Sequence, residues 1–427
     1  MSKKLSFLET IFSYKNKNKY HNQICILAIK FNIRKNEVDL KYYYNLPIQN
    51  NKIVFRSVHS AYNCNPKYIA EEILRQGLDY ELVWIADKYV LKYIDSFPKN
   101  LKLVMDSTQD ALKEYASAKI WIDNEIRYFI VEKGLYKKEK QVYINTWHGS
   151  LGIKKCGLDR NDRKKTRKSS KDATIIDKEQ VDFLISNSTF ETNFYKRRGY
   201  PNSKILELGH PRNDIFFVEN KDIKRKVYKY FGIPENKKIV IYAPTFRETY
   251  DLSCYKLDFS MLRKCLQEKF NGDWVVINRM HPNLNDCKEQ FESDGVNILD
   301  ASNYPDMQEL SAAADILITD YSSCIFDYML QYKPGFIFAT DIKEYDWERG
   351  FYYPLSSTPF PVASCNEELA ENIKCFDNEK YLKEVEQFLK DKGCIDDGQA
   401  SKRAVEIIKT IIEQPDKLDE KIEEFVR

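Results

Sequence analysis

Apolar residues along this chain recur in two periods. Short apolar runs closed by turn-forming residues read as buried strands, and the stretches between them place apolar residues three or four apart, as on one face of a helix. The alternation begins at Lys52. Ile53-Val54-Phe55 is a compact strand, and Pro66 opens a helix over Lys67 to Arg75, since proline is tolerated in a first helical turn. Tyr80 to Ile85, Lys88 to Asp95, Leu101 to Met105, Thr108 to Ala116 and Ala118 to Ile122 continue the series. Such βαβα alternation predicts a mostly parallel sheet with helices on both faces. Val142 to Thr146, Val181 to Ser186 and Lys204 to Leu208 read as further strands, with a helix at Thr189 to Arg197. A second series follows at Lys238 to Tyr242, Trp274 to Asn278 and Asp315 to Thr319, the last running into a helix over Cys324 to Gln331 that stops before Pro334. Helical patterns over Glu379 to Lys392 and Gln399 to Ile412 close the chain.

Ahead of Lys52 the pattern differs. Leu5, Leu8 and Phe12 fall at i, i+3 and i+7, a face that Ile11 widens, flanked by Lys3, Lys4, Lys15, Lys17 and Lys19. A short basic amphipathic helix of this kind either lies on an anionic membrane surface or packs on its own domain. Ile24 to Ile33 and Val38 to Tyr44 then read as two strands.

Composition narrows the class. A length of 427 residues suits two domains of about 200 each, and 43% hydrophobic with 31% charged residues is the balance of a soluble globular protein. The net charge of +3 comes without a zinc-finger, helix-turn-helix or RNA-type aromatic pattern, so nucleic acid is not an expected partner. The ten cysteines form no C-x-x-C pair, which argues against zinc or a disulfide framework and for a reducing cytosol. No apolar run approaches the roughly 20 residues that span a bilayer, and no signal peptide is seen. The expected location is the cytoplasm, with peripheral contact on the inner face of the cell membrane.

Chemistry collects at strand ends. The stretch QVYINTWHGSLGIKK puts His148 just after the strand Val142 to Thr146, and ligands in open α/β sheets bind at that edge. His59 follows another strand and points to the same cleft, while His210 lies in the sharp GHPRND turn where the chain crosses between domains. In the second series the strands lead into Ala243-Pro244-Thr245-Phe246-Arg247, Arg279-Met280-His281-Pro282 and Asp320-Tyr321-Ser322-Ser323. Two serines at a helix N-terminus, joined by His281 and Arg247 from neighbouring strands, favour a phosphate or pyrophosphate site over simple helix capping. Lys154 to Lys178 is a basic stretch, either a solvated loop or a docking surface for a polyanion or an anionic membrane. Neither G-x-G-x-x-G nor G-x-x-x-x-G-K-[ST] occurs, which argues against dinucleotide oxidoreductases and P-loop NTPases.

The WHG turn, GHPRND, YAPTFR, NRMHP and ITDYSSCIFDY, in this order, resemble the CDP-glycerol:poly(glycerophosphate) glycerophosphotransferases, which build teichoic acids and related capsular polyol-phosphate polymers. The resemblance runs from about Lys52 to CIDDGQASKRAVEII near the C-terminus. Two departures stand out: Ser150-Leu151 follows the HG where the family has Thr and Pro, and Phe246 replaces Trp.

The resemblance implies a GT-B architecture of two facing Rossmann-like domains. The division is 1–50 as an N-terminal extension, 51–215 for the acceptor, 216–385 for the nucleotide and 386–427 as bracing helices. It also implies attack of an acceptor hydroxyl on the β-phosphorus of a CDP-polyol, glycerol before ribitol, with CMP leaving. His148 then serves as base, and His281, Arg247, Ser322 and Ser323 stabilise charge on the diphosphate, assisted by the Thr245 hydroxyl. Asp320 orients the serine turn or His281, or is a buried structural aspartate; His59 and His210 count with the substrate-binding residues. No tightly bound metal or cofactor is expected, and a loosely bound Mg²⁺ stays open. The expected acceptor is lipid-linked or polymeric. Two other readings stand beside this one: a glycosyltransferase of the same architecture, and a non-catalytic polyanion-binding protein.

Overall fold

A computed structural model describes residues 12–16, 21–26, 29–34, 39–58, 61–156, 159–161, 168–247, 253–280 and 298–426. Strands β1 (Phe12–Asn16), β2 (His21–Ile26) and β3 (Ile29–Arg34) form an antiparallel sheet ahead of the main body. The expected amphipathic helix lies outside the described residues except for Phe12, which begins β1. The expected strand over Val38 to Tyr44 is instead a helix, Leu40–Asn45. Asp39 decides this locally: its carboxylate accepts the backbone N–H groups of Lys41 and Tyr42, satisfying donors that a helix start leaves orphaned.

The N-terminal domain is a parallel sheet of β4 (Gln49–Phe55), β5 (Glu81–Ala86), β6 (Lys102–Met105), β7 (Ala118–Asp123), β8 (Val142–Asn145), β9 (Phe183–Ser186) and β10 (Lys204–Glu207). Its order is β10-β9-β8-β7-β4-β5-β6. The C-terminal domain repeats the plan with β11 (Lys238–Tyr242), β12 (Trp274–Asn278), β13 (Ile298–Asp300), β14 (Ile316–Thr319), β15 (Gly335–Phe338) and β16 (Val362–Ala363), ordered β13-β12-β11-β14-β15-β16. These strands are apolar runs because helices cover both faces of the sheet. Ile53, Val54 and Phe55, and likewise Ile239, Val240 and Ile241, are fully buried. Each sheet reverses its winding once, between β4 and β7 and between β11 and β14, and crevices for ligands open at such points.

The helix Asn378–Lys392 buries Tyr381, Val385 and Phe388 in the C-terminal core, so a boundary at residue 385 falls inside it. The next helix, Ala400–Glu413, returns to the N-terminal core through Ala404, Val405, Ile407, Ile408 and Ile411. Asp214 starts it, accepting the N–H groups of Ala400 and Ser401.

The domains are tied by ion pairs buried between them. Lys67, in the helix Cys64–Arg75, meets Asp306 at 2.6 Å and Glu309 at 2.7 Å. Arg212, from the crossing turn Pro211–Phe217, donates through Nε to Asp327 Oδ2 at 3.0 Å and through Nη2 to Asp327 Oδ1 at 3.3 Å. Both side chains of the Arg212 pair are at most 5% exposed. Removing one partner leaves the other charge buried and alone. Asp327→Ala is expected to cost roughly 3–5 kcal/mol in urea unfolding; a loss under about 1 kcal/mol would show that the pair does not hold the domains.

Candidate active site

His148 sits on the turn after β8, half-buried, with its neighbour Trp147 at φ 52° in the left-handed region that a non-glycine residue seldom adopts. Local hydrogen bonds hold this conformation. The Asn145 side chain accepts the Trp147 N–H at 2.9 Å, and Asn65 Nδ2 donates to the carbonyls of Thr146 at 2.9 Å and Trp147 at 3.1 Å. Arg212 Nη2 donates to the Gly149 carbonyl. The Trp147 ring stacks on the His148 imidazole with centroids 4.5 Å apart.

One hydrogen bond sets the chemistry of His148. Its Nδ1 lies 2.7 Å from the carbonyl oxygen of Asn124, at the end of β7. A carbonyl only accepts, so Nδ1 carries the proton and the basic lone pair is on Nε2. Asn124 is fixed in turn: its N–H donates to Asp123 Oδ1 at 2.7 Å, and its Nδ2 donates to Ser57 Oγ at 3.2 Å. Ser57 Oγ donates onward to Asn63 Oδ1 at 2.6 Å. Burial pushes the Asp123 carboxyl up to about 7, against the opposing pull of Arg56, whose guanidinium lies 3.7 Å away.

Across the cleft, Asp320 organises the C-terminal rim. Its carboxylate accepts the Thr245 N–H at 2.9 and 3.0 Å and the Tyr321 N–H, and pairs with Arg247 Nη2 at 2.9 Å. Arg247 also forks onto Asp341, through Nε at 2.6 Å and Nη2 at 2.9 Å, and packs over the rings of Tyr321 and Tyr345, each 4.8 Å from its guanidinium carbon. The guanidinium is thus committed to two carboxylates, which raise its pKa against the effect of burial. It positions the rim: Nε and Nη2 meet the two carboxylates, and Nη1 donates to the Thr245 carbonyl. Thr245 Oγ1 is buried without a hydrogen-bond partner among the described residues. Ser322 Oγ accepts the Cys324 N–H at 3.4 Å, and Ser323 makes no side-chain cap. The α-helix that they precede is short, Cys324–Tyr328, with a 3₁₀ turn at Met329–Gln331 completing the expected span.

The two rims touch where Gly152 meets Ser323. A Cβ at Gly152 would lie 3.0 Å from the Ser323 Cβ, closer than packed side chains normally come. The segment that leaves His148 is therefore brought against the serine turn, with Thr245 and Asp320 beside the latter. His59 and His281 lie outside the described residues. His210 is elsewhere. It is fully buried at the crossing, its Nε2 2.8 Å from Glu191 Oε2 and its N–H donating to Asp396 Oδ1 at 2.7 Å, so the expected substrate contact becomes a structural one.

Sequence reading passed over Asn124, Asp341 and Arg279. Asn124 acts through its backbone and leaves no side-chain signal. Asp341 lies beyond β15, a strand that was not expected, as the residue preceding the helix Ile342–Glu348, and Arg279 was read only as the flank of His281.

Two parallel α/β domains meeting at their strand ends define a GT-B-type protein. Residues 40–410 match the family described as CDP-Glycerol:Poly(glycerophosphate) glycerophosphotransferase, and the chain belongs to that family. It is 31% identical over 385 residues to the teichoic acid poly(glycerol phosphate) polymerase of Staphylococcus epidermidis, covering 85% of this chain but 51% of that one, about half its length. Among solved structures, a histidine-to-alanine variant of the wall teichoic acid polymerase TagF superposes with a TM-score of 0.72 at 28% identity, covering 86% of this chain and 91% of that one. A histidine-to-asparagine TagF variant soaked with CDPG gives a TM-score of 0.71 at 28% identity, covering 86% and 90%.

Arg247→Lys keeps the charge and loses the fork. It is expected to destabilise by about 2 kcal/mol in thermal or urea unfolding; wild-type stability in this variant would show that Asp341 contributes nothing to the rim.

Proposed function

We propose that the chain transfers a polyol phosphate, glycerol phosphate first among the candidates, from a CDP-polyol to a hydroxyl of a growing polymer, releasing CMP, in teichoic-acid-like synthesis. The observation that carries this reading is the Nδ1–H bond of His148 to the Asn124 carbonyl. It fixes the tautomer, so that Nε2 carries the basic lone pair that takes the hydroxyl proton, on the rim that meets the serine turn. Family membership and the likeness to TagF support the same chemistry.

In the mechanism, His148 Nε2 removes the proton as the hydroxyl oxygen bonds to the β-phosphorus; the bond from that phosphorus to the bridging oxygen breaks, and CMP departs with the electron pair. Trp147, Asn65 and Arg212 hold the base in place, while Asp320 and Arg247 hold the turn carrying Ser322 and Ser323, whose hydroxyls contact the phosphates. His281 is assigned to the charge on the leaving CMP. The lipid-linked acceptor and a peripheral position on an anionic membrane belong to the proposal too; among the described residues no helix is long and apolar enough to cross a membrane. Any Mg²⁺ required would arrive with the donor diphosphate. Among the described residues, no group of three or more His, Cys, Asp and Glu side chains is arranged for an ion.

His148→Ala is expected to lower the rate of CMP release from CDP-glycerol by about 10²- to 10⁴-fold with an unchanged melting temperature. Turnover within about tenfold of wild type would remove His148 as the base.

A further inference from the structure

Among the described residues Lys154 and Arg279 make no ion pair; the carboxylates facing Arg279 are Asp306, which Lys67 already engages, and Asp300. Lys154 lies on the segment that leaves His148 and is stitched to the C-terminal domain. Lys154 pairs with Phe351 as an isolated β-bridge, the Tyr352 N–H donates to the Ile153 carbonyl at 2.7 Å, and the Lys155 N–H donates to the Gly350 carbonyl at 3.0 Å. Gly152, two positions earlier, touches Ser323. The groups facing the Lys154 ammonium are Arg349, Asp320, Cys156 and Cys324. Asp320 is already occupied by Arg247 and by two backbone N–H groups. Arg279 enters from the other side, at the end of β12. Its Nη1 donates to the carbonyls of Ala301 and Tyr304, both at 2.6 Å. Among the described residues neither cation has a carboxylate within ion-pair distance, and both border Cys324, the residue that follows the two serines.

A cation partly removed from water without an ion-pair partner is costly. An arriving dianion relieves that cost for each. We propose that Lys154 and Arg279 form a clamp for the diphosphate of the nucleotide donor, one cation from each domain, over the turn carrying Ser322 and Ser323. This rests on the polyol-phosphotransferase reading and adds to it the charges that neutralise the donor. A diphosphate esterified at both ends is a dianion throughout the neutral range and matches the pair. Because Lys154 belongs to the His148 segment, donor binding adds to the contacts that already hold that segment on the C-terminal rim.

Burial and the nearby Arg349 hold the Lys154 ammonium down at about 8. It is charged below that pH and neutral above it, so donor affinity is full near pH 7 and falls about tenfold by pH 9. The Cys324 thiol, pushed up by burial to about 11, stays out of this window, and Cys156→Ser controls for the other thiol.

The test is calorimetric titration of the whole protein with CDP-glycerol. Lys154→Met is expected to lose about tenfold or more in affinity at pH 7 with an unchanged melting temperature, and Lys154→Arg to keep affinity and lose the fall toward pH 9. Arg279→Gln is expected to weaken binding about tenfold and Arg279→Lys much less, which separates charge from the carbonyl contacts. Affinity within about twofold in Lys154→Met, or an unchanged pH slope in Lys154→Arg, overturns the clamp. If wild type binds neither CDP-glycerol nor CDP-ribitol, the donor reading itself falls and takes the clamp with it; wild-type binding with indifferent variants sinks the clamp alone.

Discussion

The arrangement depends on one guanidinium. Arg212 leaves the crossing turn, bonds to the Gly149 carbonyl on the His148 loop and forks onto Asp327 in the helix behind the serine turn. Three segments far apart in sequence therefore share one buried charge. Neither rim can shift sideways without stretching a bond to it, and buried charge pairs resist this because separation exposes each member to an apolar surround. Gln308 adds a donor to Asp327 at 3.0 Å, which completes the satisfaction of the carboxylate.

A gradient runs outward from that centre. Around Arg212 the contacts are direct: Asn65 holds the Trp147 turn, and on the opposite rim Asp320 holds Thr245 and Arg247. Farther into the cleft, among the described residues, Thr245 Oγ1 has no hydrogen-bond partner and Arg279 donates to the backbone carbonyls of Ala301 and Tyr304. A rigid frame around an unsatisfied interior is what a preorganised site requires. The frame carries the order in advance, and the interior keeps its hydrogen-bonding capacity for an incoming ligand.

Strand positions were legible because a parallel sheet covered on both faces demands uninterrupted apolar runs. KIVIY and WVVIN admit one reading, and β11 and β12 occupy Lys238–Tyr242 and Trp274–Asn278 as expected. Val38 to Tyr44 misled because its aromatic residues suit a strand, while a single capping aspartate commits the backbone to a helix. The edge strands β13 and β16 are too short to form a pattern. At the site, the residue types at strand ends could be read but the division of labour could not. Arg247 looks like an anion ligand until Asp341, 94 positions away, takes its fork. His210 counts with the substrate contacts by its turn and is fully buried beside Glu191 and Asp396, which only the fold brings to it.

The return of the helix Ala400–Glu413 to the N-terminal core makes the C-terminal domain a cassette within the chain. Its entry and exit strands run side by side: a Cβ at Gly209 would lie 3.1 Å from that of Ala400, and Asp214 near the entry caps the helix beyond the exit. A domain whose two ends leave through one doorway can be exchanged for another of the same span that again supplies carboxylates to Lys67 and Arg212. The two domains are in that sense separately replaceable parts. New pairings of domains can arise by swapping a module as well as by altering single residues.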